Sequence, residues 1–400
     1  MAFDMSGSMK GEGLAVTKKA ANSFLSQLPN EISLEIYTFS TQVTRIQPMS
    51  NDRMKLSYRG FRVHKRVALA ISRGTQASSQ NWLVQIEHEG LQGIGEAAEF
   101  SIPHVEQSFE LLGKELARAE LIASPFSPWQ REEVHAALVQ AEIASSAIAG
   151  IDMALWDWCG KACGQPVWKL LGVDRSPKVP TSVTIGIQSP EAARQRWYQW
   201  LELGMIRAVK IKMGSPHGIE ADQAMLEGLR EILPAGIHTS VDANGGWSVK
   251  DAIAMSEWLA ARGIDHIEQP THPDDLEQLA SVHRQASLPI MADESCRTSK
   301  DIPGLVGRCS GINIKILKCG GVTEATKMIH TARAHGMKVM LGCYSQTALG
   351  NTAANQLGSL VDYIDLDSHL NLKDDPFLGC VLSDGQLINP EQPGLGITHA

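Results

Sequence analysis

Two lysines stand two residues apart in the apolar run "AVKIKMG" at 208–214. Side chains alternate along a strand, so Lys210 and Lys212 share one face while Val209 and Ile211 take the other. An unpaired ammonium in a protein interior is very costly, so that face must meet negative charge or a wet pocket. Later apolar runs end in residues of the complementary kind. "IHTSVDANGG" carries Asp242, with Asn244 just after it. "IDHIEQP" carries Glu268, and "LPIMADES" carries Asp293, followed by Glu294. "GINIKILKCGG" carries Lys315, with Lys318 beyond it. "YIDLDSH" carries Asp365 and Asp367, again two apart and on one face. Three converging carboxylates repel one another, and a hard divalent cation such as Mg2+ resolves this while keeping positions for water or substrate. A single Asp or Lys at a strand end is ordinarily a loop residue or a helix cap. Consecutive strands reading Lys, Asp, Glu, Asp, Lys are not.

The elements that must hold these residues are legible from about residue 180 onward. Short apolar runs alternate with amphipathic stretches such as "EADQAMLEGLREIL" and "GVTEATKMIHTARAHG". Strand–helix alternation predicts a parallel sheet. Eight strand candidates at a spacing of about 25 residues fit a (β/α)8 (TIM-like) barrel, whose catalytic groups project from the C-terminal strand ends. An open doubly wound sheet would carry a glycine-rich phosphate loop after its first strand, and "TIGIQSPEAA" supplies none. The barrel is placed at 179–374. Residues 54–178 form an α+β capping domain, with two strand-like runs joined by a turn at Glu89–Gly90 and helical segments after them. Residues 375–400 pack back on that domain.

Bulk properties narrow the function. The chain has 400 residues, 43% hydrophobic and 20% charged, with a net charge of −8. No basic face for nucleic acid is evident, no run approaches the length of a membrane span, and the N-terminus lacks a signal peptide's apolar core. Seven scattered cysteines without a secretory signal read as reduced thiols in a cytoplasm. Cys159 and Cys163, four apart, read as core packing rather than half a metal site. A small-molecule substrate and a homo-oligomer are expected, with no nucleic-acid or membrane partner.

In combination, "KIKMG", "VDANGGW", "IEQP", "ADES" and "NIKILKCGG" resemble the enolase superfamily, in its muconate-lactonizing subgroup. "GIGEAA" and "AIAGIDMALWDWCGKACGQPVWKLLG" resemble that family's capping domain, and the likeness spans about residues 54–398. The resemblance implies that Asp242, Glu268 and Asp293 bind Mg2+, that Lys212 and Lys315 are acid/base lysines, and that Lys210 neutralises a substrate carboxylate. The implied chemistry removes the proton α to a carboxylate to give an enediolate. A lysine base requires a pKa well below its usual ~10.4. "DLDSH" resembles the Asp–x–Asp motif of dipeptide epimerases, where two aspartates hold the substrate's α-ammonium group. Two lysines on opposite faces then suit epimerisation at the C-terminal residue's α-carbon. Thr184 on the first strand is grouped with these substrate-binding residues, as is Arg73 in "AISRGTQ", a candidate to read a side chain. Cycloisomerases, o-succinylbenzoate synthase and N-acylamino acid racemases of the same subgroup remain alternatives, as does an inert barrel in a binding protein. Where the family commonly has a glutamate after the seventh strand, "CYSQT" places Gln346, which changes the surroundings expected for Lys315.

Residues 1–53 resemble a truncated von Willebrand factor A domain. "DMSGS" matches its metal-adhesion motif through Asp4, Ser6 and Ser8, but the remaining ligands of such a site are missing. This piece is expected to be a fusion remnant.

Overall fold

Eight short parallel strands carry the polar residues singled out above. They are Ser182–Ile185, Ala208–Lys212, His238–Asp242, Ile267–Glu268, Ile290–Ala292, Gly311–Lys315, Lys338–Gly342 and Tyr363–Asp365. In this computed structural model they neighbour one another in chain order, and a parallel bridge from Thr181 to Ile364 joins the last to the first. The sheet is therefore a closed (β/α)8-type barrel. The residues facing the helices, among them Val209, Ile211, Val241, Ile267, Ile312, Ile314 and Leu341, are buried. Each such side chain contributes about 1.5–3 kcal/mol by leaving water. Register brings the chemistry level at one end. Lys212 lies opposite Asp242, and Asp242 opposite Glu268. On the far side Lys315 lies opposite Gly342, and Gly342 opposite Asp365. The last unit is abbreviated: Tyr363–Asp365 is followed only by the 3-10 turn Ser368–Asn371.

The structure describes residues 53–72 and 74–400, together with the strands Ile36–Phe39 and Val43–Ile46, which pair antiparallel. Two compact units result, Met1–Arg53 and Met54–Ala400. Asp4, Ser6, Ser8 and Arg73 lie outside the described residues.

Before the barrel, strands Lys55–Ile71, Gly74–His88 and Leu91–Ala98 form an antiparallel meander, followed by helices Phe109–Ala123, Arg131–Gln140 and Ser145–Ala162. The turn at Glu89–Gly90 has positive φ at both residues, 51° and 73°, matching the twist of a tight hairpin. The 17-residue first strand was not among the strand-like runs read from the sequence. Its partner strand carries the hydrophobic signal, whereas "KLSYRGFRVHKR" is mostly polar. Helix Ser145–Ala162 lies so close to the third strand that a Cβ at Gly95 would come 2.0 Å from the Gly150 carbonyl oxygen. The long hairpin shifts register between His64 and Leu69, and its tip reaches the barrel mouth. There Ile187 donates its N–H to Ala70 O at 2.9 Å, and Lys373 N donates to His64 O at 2.9 Å. The Asn371 side chain accepts from Val67 N at 3.2 Å and donates to Val67 O at 2.8 Å.

The C-terminal segment returns to the capping domain. Leu395 N donates to Asp157 Oδ1 at 2.8 Å, and Gly394 exchanges backbone bonds with Gln165 and Val167. All seven thiols are free. Cys159 belongs to the capping-domain core, but Cys163 does not: it caps the helix C-terminus and is exposed. No described helix is long and apolar enough to cross a membrane.

Candidate active site

The third, fourth and fifth barrel strands bring Asp242, Glu268 and Asp293 together. Their nearest carboxylate oxygens all lie within 4.8 Å of one another, and all three residues are buried. Asn313 Nδ2 donates to Glu268 Oε1 at 2.6 Å, while Asn244 N donates to Asp242 Oδ1 at 2.8 Å. Burial, followed by the charges of Asp242 and Asp293, pushes the Glu268 carboxyl up to about 8. An all-oxygen donor set of this kind fits a hard divalent cation.

Lysines surround the cluster. Lys212 Nζ donates to Asp242 Oδ2 at 2.5 Å, and Lys315 Nζ to Asp293 Oδ2 at 2.6 Å. Burial acts to raise the Asp293 carboxyl, but Lys315 and Lys318 outweigh it and hold it well below the usual range. Lys210 Nζ bonds Asp365 and lies 3.3 Å from Glu268 Oε2. The lowering expected for a base lysine is not found at Lys315. Burial does act to lower it, yet Asp293, then Tyr344, Glu268 and Glu294, raise it well above the ordinary value. Lys210 is likewise raised, with burial outweighed by Asp365, Glu268 and Asp242. As arranged here both are ammonium donors: Lys315 is paired with Asp293 of the cluster, and Lys210 with Asp365 outside it.

The two aspartates of the eighth strand are not equivalent. Asp365 is occupied: Oδ2 takes the Lys210 ammonium, and Oδ1 accepts from Ser182 Oγ at 2.7 Å. Asp367 Oδ2 accepts from the Thr184 backbone N–H at 2.6 Å. Burial, followed by the charge of Asp365, pushes the Asp367 carboxyl up to about 6. Thr184 therefore acts by orienting Asp367. The unsatisfied carboxylate demand at this end of the site lies with Asp367 rather than with the pair.

Lys210, Lys212, Lys315, Thr184, Asp365 and Asp367 line one cavity of about 380 Å3. The hairpin tip gives it an apolar wall of Val67, Leu69 and Ile71, continued by Ile187 and Phe100. Gln346 does not take the place expected of a glutamate beside Lys315. It is buried, its Oε1 accepts from Tyr344 N at 3.3 Å, and no hydrogen bond joins it to Lys315 among the described residues. Lys315 instead has the Tyr344 ring, with Nζ 4.4 Å from its centroid. That ring is stacked on Phe100 at 4.5 Å.

Three further contributors have no role assigned from the sequence; of them only Lys318 is noted there. Lys318 lies on the helical turn Ile316–Cys319, which folds it back so that Nζ reaches Asp293 Oδ1 at 2.6 Å and Asn313 O at 3.1 Å. The Gly320–Gly321 pair ending that turn was the available signal. Asn313 is the other polar residue of the strand that carries Lys315. Glu96 of "GIGEAA" accepts from Asn81 Nδ2 at 2.5 Å, Thr347 Oγ1 at 2.6 Å and Gly350 N at 3.0 Å. It thereby fixes the loop that carries Tyr344.

Two family models match the chain: the mandelate racemase/muconate lactonizing enzyme N-terminal domain over residues 58–172, and the enolase C-terminal domain-like family over 191–400. A hydrophobic dipeptide epimerase from Flavobacteria bacterium (strain MS024-2A) is 40% identical over 344 residues, covering 86% of this chain and 97% of its own. One from Roseobacter litoralis is 41% identical, covering 87% and 100%. The crystal structure of the dipeptide epimerase from Enterococcus faecalis V583, complexed with Mg and the dipeptide L-Leu-L-Tyr, superposes with a TM-score of 0.81. It is 33% identical and covers 87% of this chain and 100% of that one.

Proposed function

The chain belongs to the mandelate racemase/muconate lactonizing enzyme family of the enolase superfamily, and on that premise we propose that it is an isomerase that epimerises dipeptides at the C-terminal residue's α-carbon. The observation that carries this reading is the shared cavity. Lys212 and Lys315, four strands apart, open into the same space as Asp367, with the carboxylate cluster between them. When bound by Asp242, Glu268 and Asp293, Mg2+ supplies positive charge that favours the deprotonated substrate.

The remaining steps belong to the chain. Asp367, oriented by Thr184, accepts hydrogen bonds from the dipeptide ammonium. Lys210 adds positive charge near the substrate carboxylate. One lysine, once relieved of its carboxylate counter-ion and so able to shed its proton, takes the α-proton in its neutral form, and the C–H electron pair moves into the enediolate. The opposing lysine, as ammonium, returns a proton to the other face. The hairpin tip keeps water away from the α-carbon. Its apolar wall, together with the names of the most similar relatives, points to dipeptides with hydrophobic side chains.

A dipeptide library incubated in D2O and read by mass tests the proposal. Hydrophobic dipeptides should gain one α-deuterium and yield both epimers. Exchange confined to N-acyl amino acids, with none in dipeptides, would overturn it.

Two further outcomes are expected. The kcat/KM for dipeptides should have an acidic limb near pH 6, because the carboxylate that binds the ammonium is protonated below that point. Activity should fall about tenfold per pH unit beneath it if this one ionisation controls binding. A pH profile flat from 5 to 7 would remove Asp367 from the role. Separately, a chain beginning at residue 53 should keep the turnover and substrate preference of the whole. The relatives quoted above are covered almost entirely while matching only 86–87% of this chain. Steady-state kinetics of the two forms compare them directly.

A further inference from the structure

At the N-terminal end of the barrel, opposite the catalytic mouth, lies another cavity, of about 400 Å3. Its walls are built from the first residues of the barrel strands, including Ser182, Ser240, His266, Lys338 and Tyr363. Ser182 alone of these touches the catalytic floor, through Asp365. His266 is 3% exposed, and neither ring nitrogen has a hydrogen-bond partner. Its ring sits 4.2 Å from that of Tyr363, centroid to centroid. An imidazole carries at least one N–H donor, and this ring has no partner for either nitrogen. Buried polar side chains are nearly always satisfied, so an imidazole with two orphaned nitrogens on a cavity wall marks a place that another molecule fills.

The rim decides the charge of that molecule. Both of its aspartates have hydrogen-bond partners. Asp265 faces His238 at 3.2 Å, and Asp362 takes Arg333 at 2.6 Å and Val339 N at 2.8 Å. Lys338 is different. Its ammonium donates to the Tyr363 hydroxyl at 2.8 Å, and among the described residues no carboxylate lies within ion-pair distance of it. An ammonium with no carboxylate within ion-pair distance and an imidazole with two open nitrogens suit a small anion with a polar body. The volume falls within the range of small-molecule sites.

We propose that this cavity is a second binding site, separate from the catalytic mouth, for a small organic carboxylate whose charge pairs with Lys338 and whose body hydrogen-bonds His266. The probe is glycolate, whose hydroxyl can hydrogen-bond His266, titrated into full-length protein carrying 15N-labelled histidine, with sodium chloride at matched ionic strength as the control. The His266 ring signals are assigned by their loss in His266→Gln or, should that variant not fold, by their contacts to Tyr363. Glycolate should shift them saturably, chloride should not, and in Lys338→Met the midpoint should rise about tenfold. Lys338 lies at the surface, so its replacement leaves the fold intact. A shift that never saturates, or one with the same midpoint in Lys338→Met, means that the cavity holds only water and overturns the proposal.

Discussion

Replacing Lys315 by alanine should abolish epimerisation from both starting configurations, by at least about 10³-fold in kcat, at the upper part of the range for losing a positioned proton-transfer group. The variant should still exchange the α-proton of one epimer with solvent, because Lys212, Lys210 and the carboxylate cluster remain. Lys212→Ala should show the opposite preference. Its residual exchange should be weaker, since Lys212 is also the close partner of Asp242 at 2.5 Å. The measurement is deuterium uptake followed separately for the L- and D-configured terminal residue. A two-base site predicts complementary loss in the two variants. Should Lys315→Ala interconvert the epimers at near the parent rate, the lysine of the sixth strand is only an electrostatic neighbour. The position of its ammonium over the Tyr344 ring would then be a packing feature.

Asp367→Asn should separate dipeptides from substrates that lack an ammonium group. Asparagine keeps an oxygen for the Thr184 N–H, so the loop geometry survives. What is lost is a buried charge pair with the substrate. Such a loss costs about 2–4 kcal/mol, or roughly 30- to 10³-fold in kcat/KM. An N-acyl amino acid should be turned over no worse by the variant than by the parent. Equal losses on both substrates would mean that Asp367 serves the fold of the mouth rather than recognition. Asp365 is the poorer choice for this test, because it also holds Lys210 and Ser182.

The part of this site that the sequence reveals is the part written with period two. A charged residue inside an otherwise apolar run has only one place to go in a closed barrel, so Lys212, Asp242, Glu268, Asp293 and Lys315 stood out against their neighbours. Lys318 is noted beyond Lys315 but given no role, because its position depends on a helical turn that reverses the chain after the strand. Glu96 was hidden for another reason. Its partners, Thr347 and Gly350, lie some 250 positions away in the chain. The inequality of Asp365 and Asp367 is also tertiary, since it arises from Lys210 arriving from a strand across the barrel. The raised pKa of Lys315 follows from the same cause. Its counter-ion is a carboxylate of the cluster itself, a pairing that spacing along the chain does not disclose.

Besides side-chain bonds from Arg66 and Ser72, the hairpin tip is held by its main chain. Val67 offers its N–H and C=O to Asn371, while Ala70 and His64 offer carbonyl oxygens to backbone N–H groups of the barrel. These attachments are indifferent to which side chains the tip displays. The tip can therefore accumulate substitutions facing the cavity without coming loose, while the lysines and carboxylates beneath stay under strict constraint. Selection could retune which dipeptides are accepted by drift in a handful of codons, and the proton-transfer machinery would be inherited unchanged.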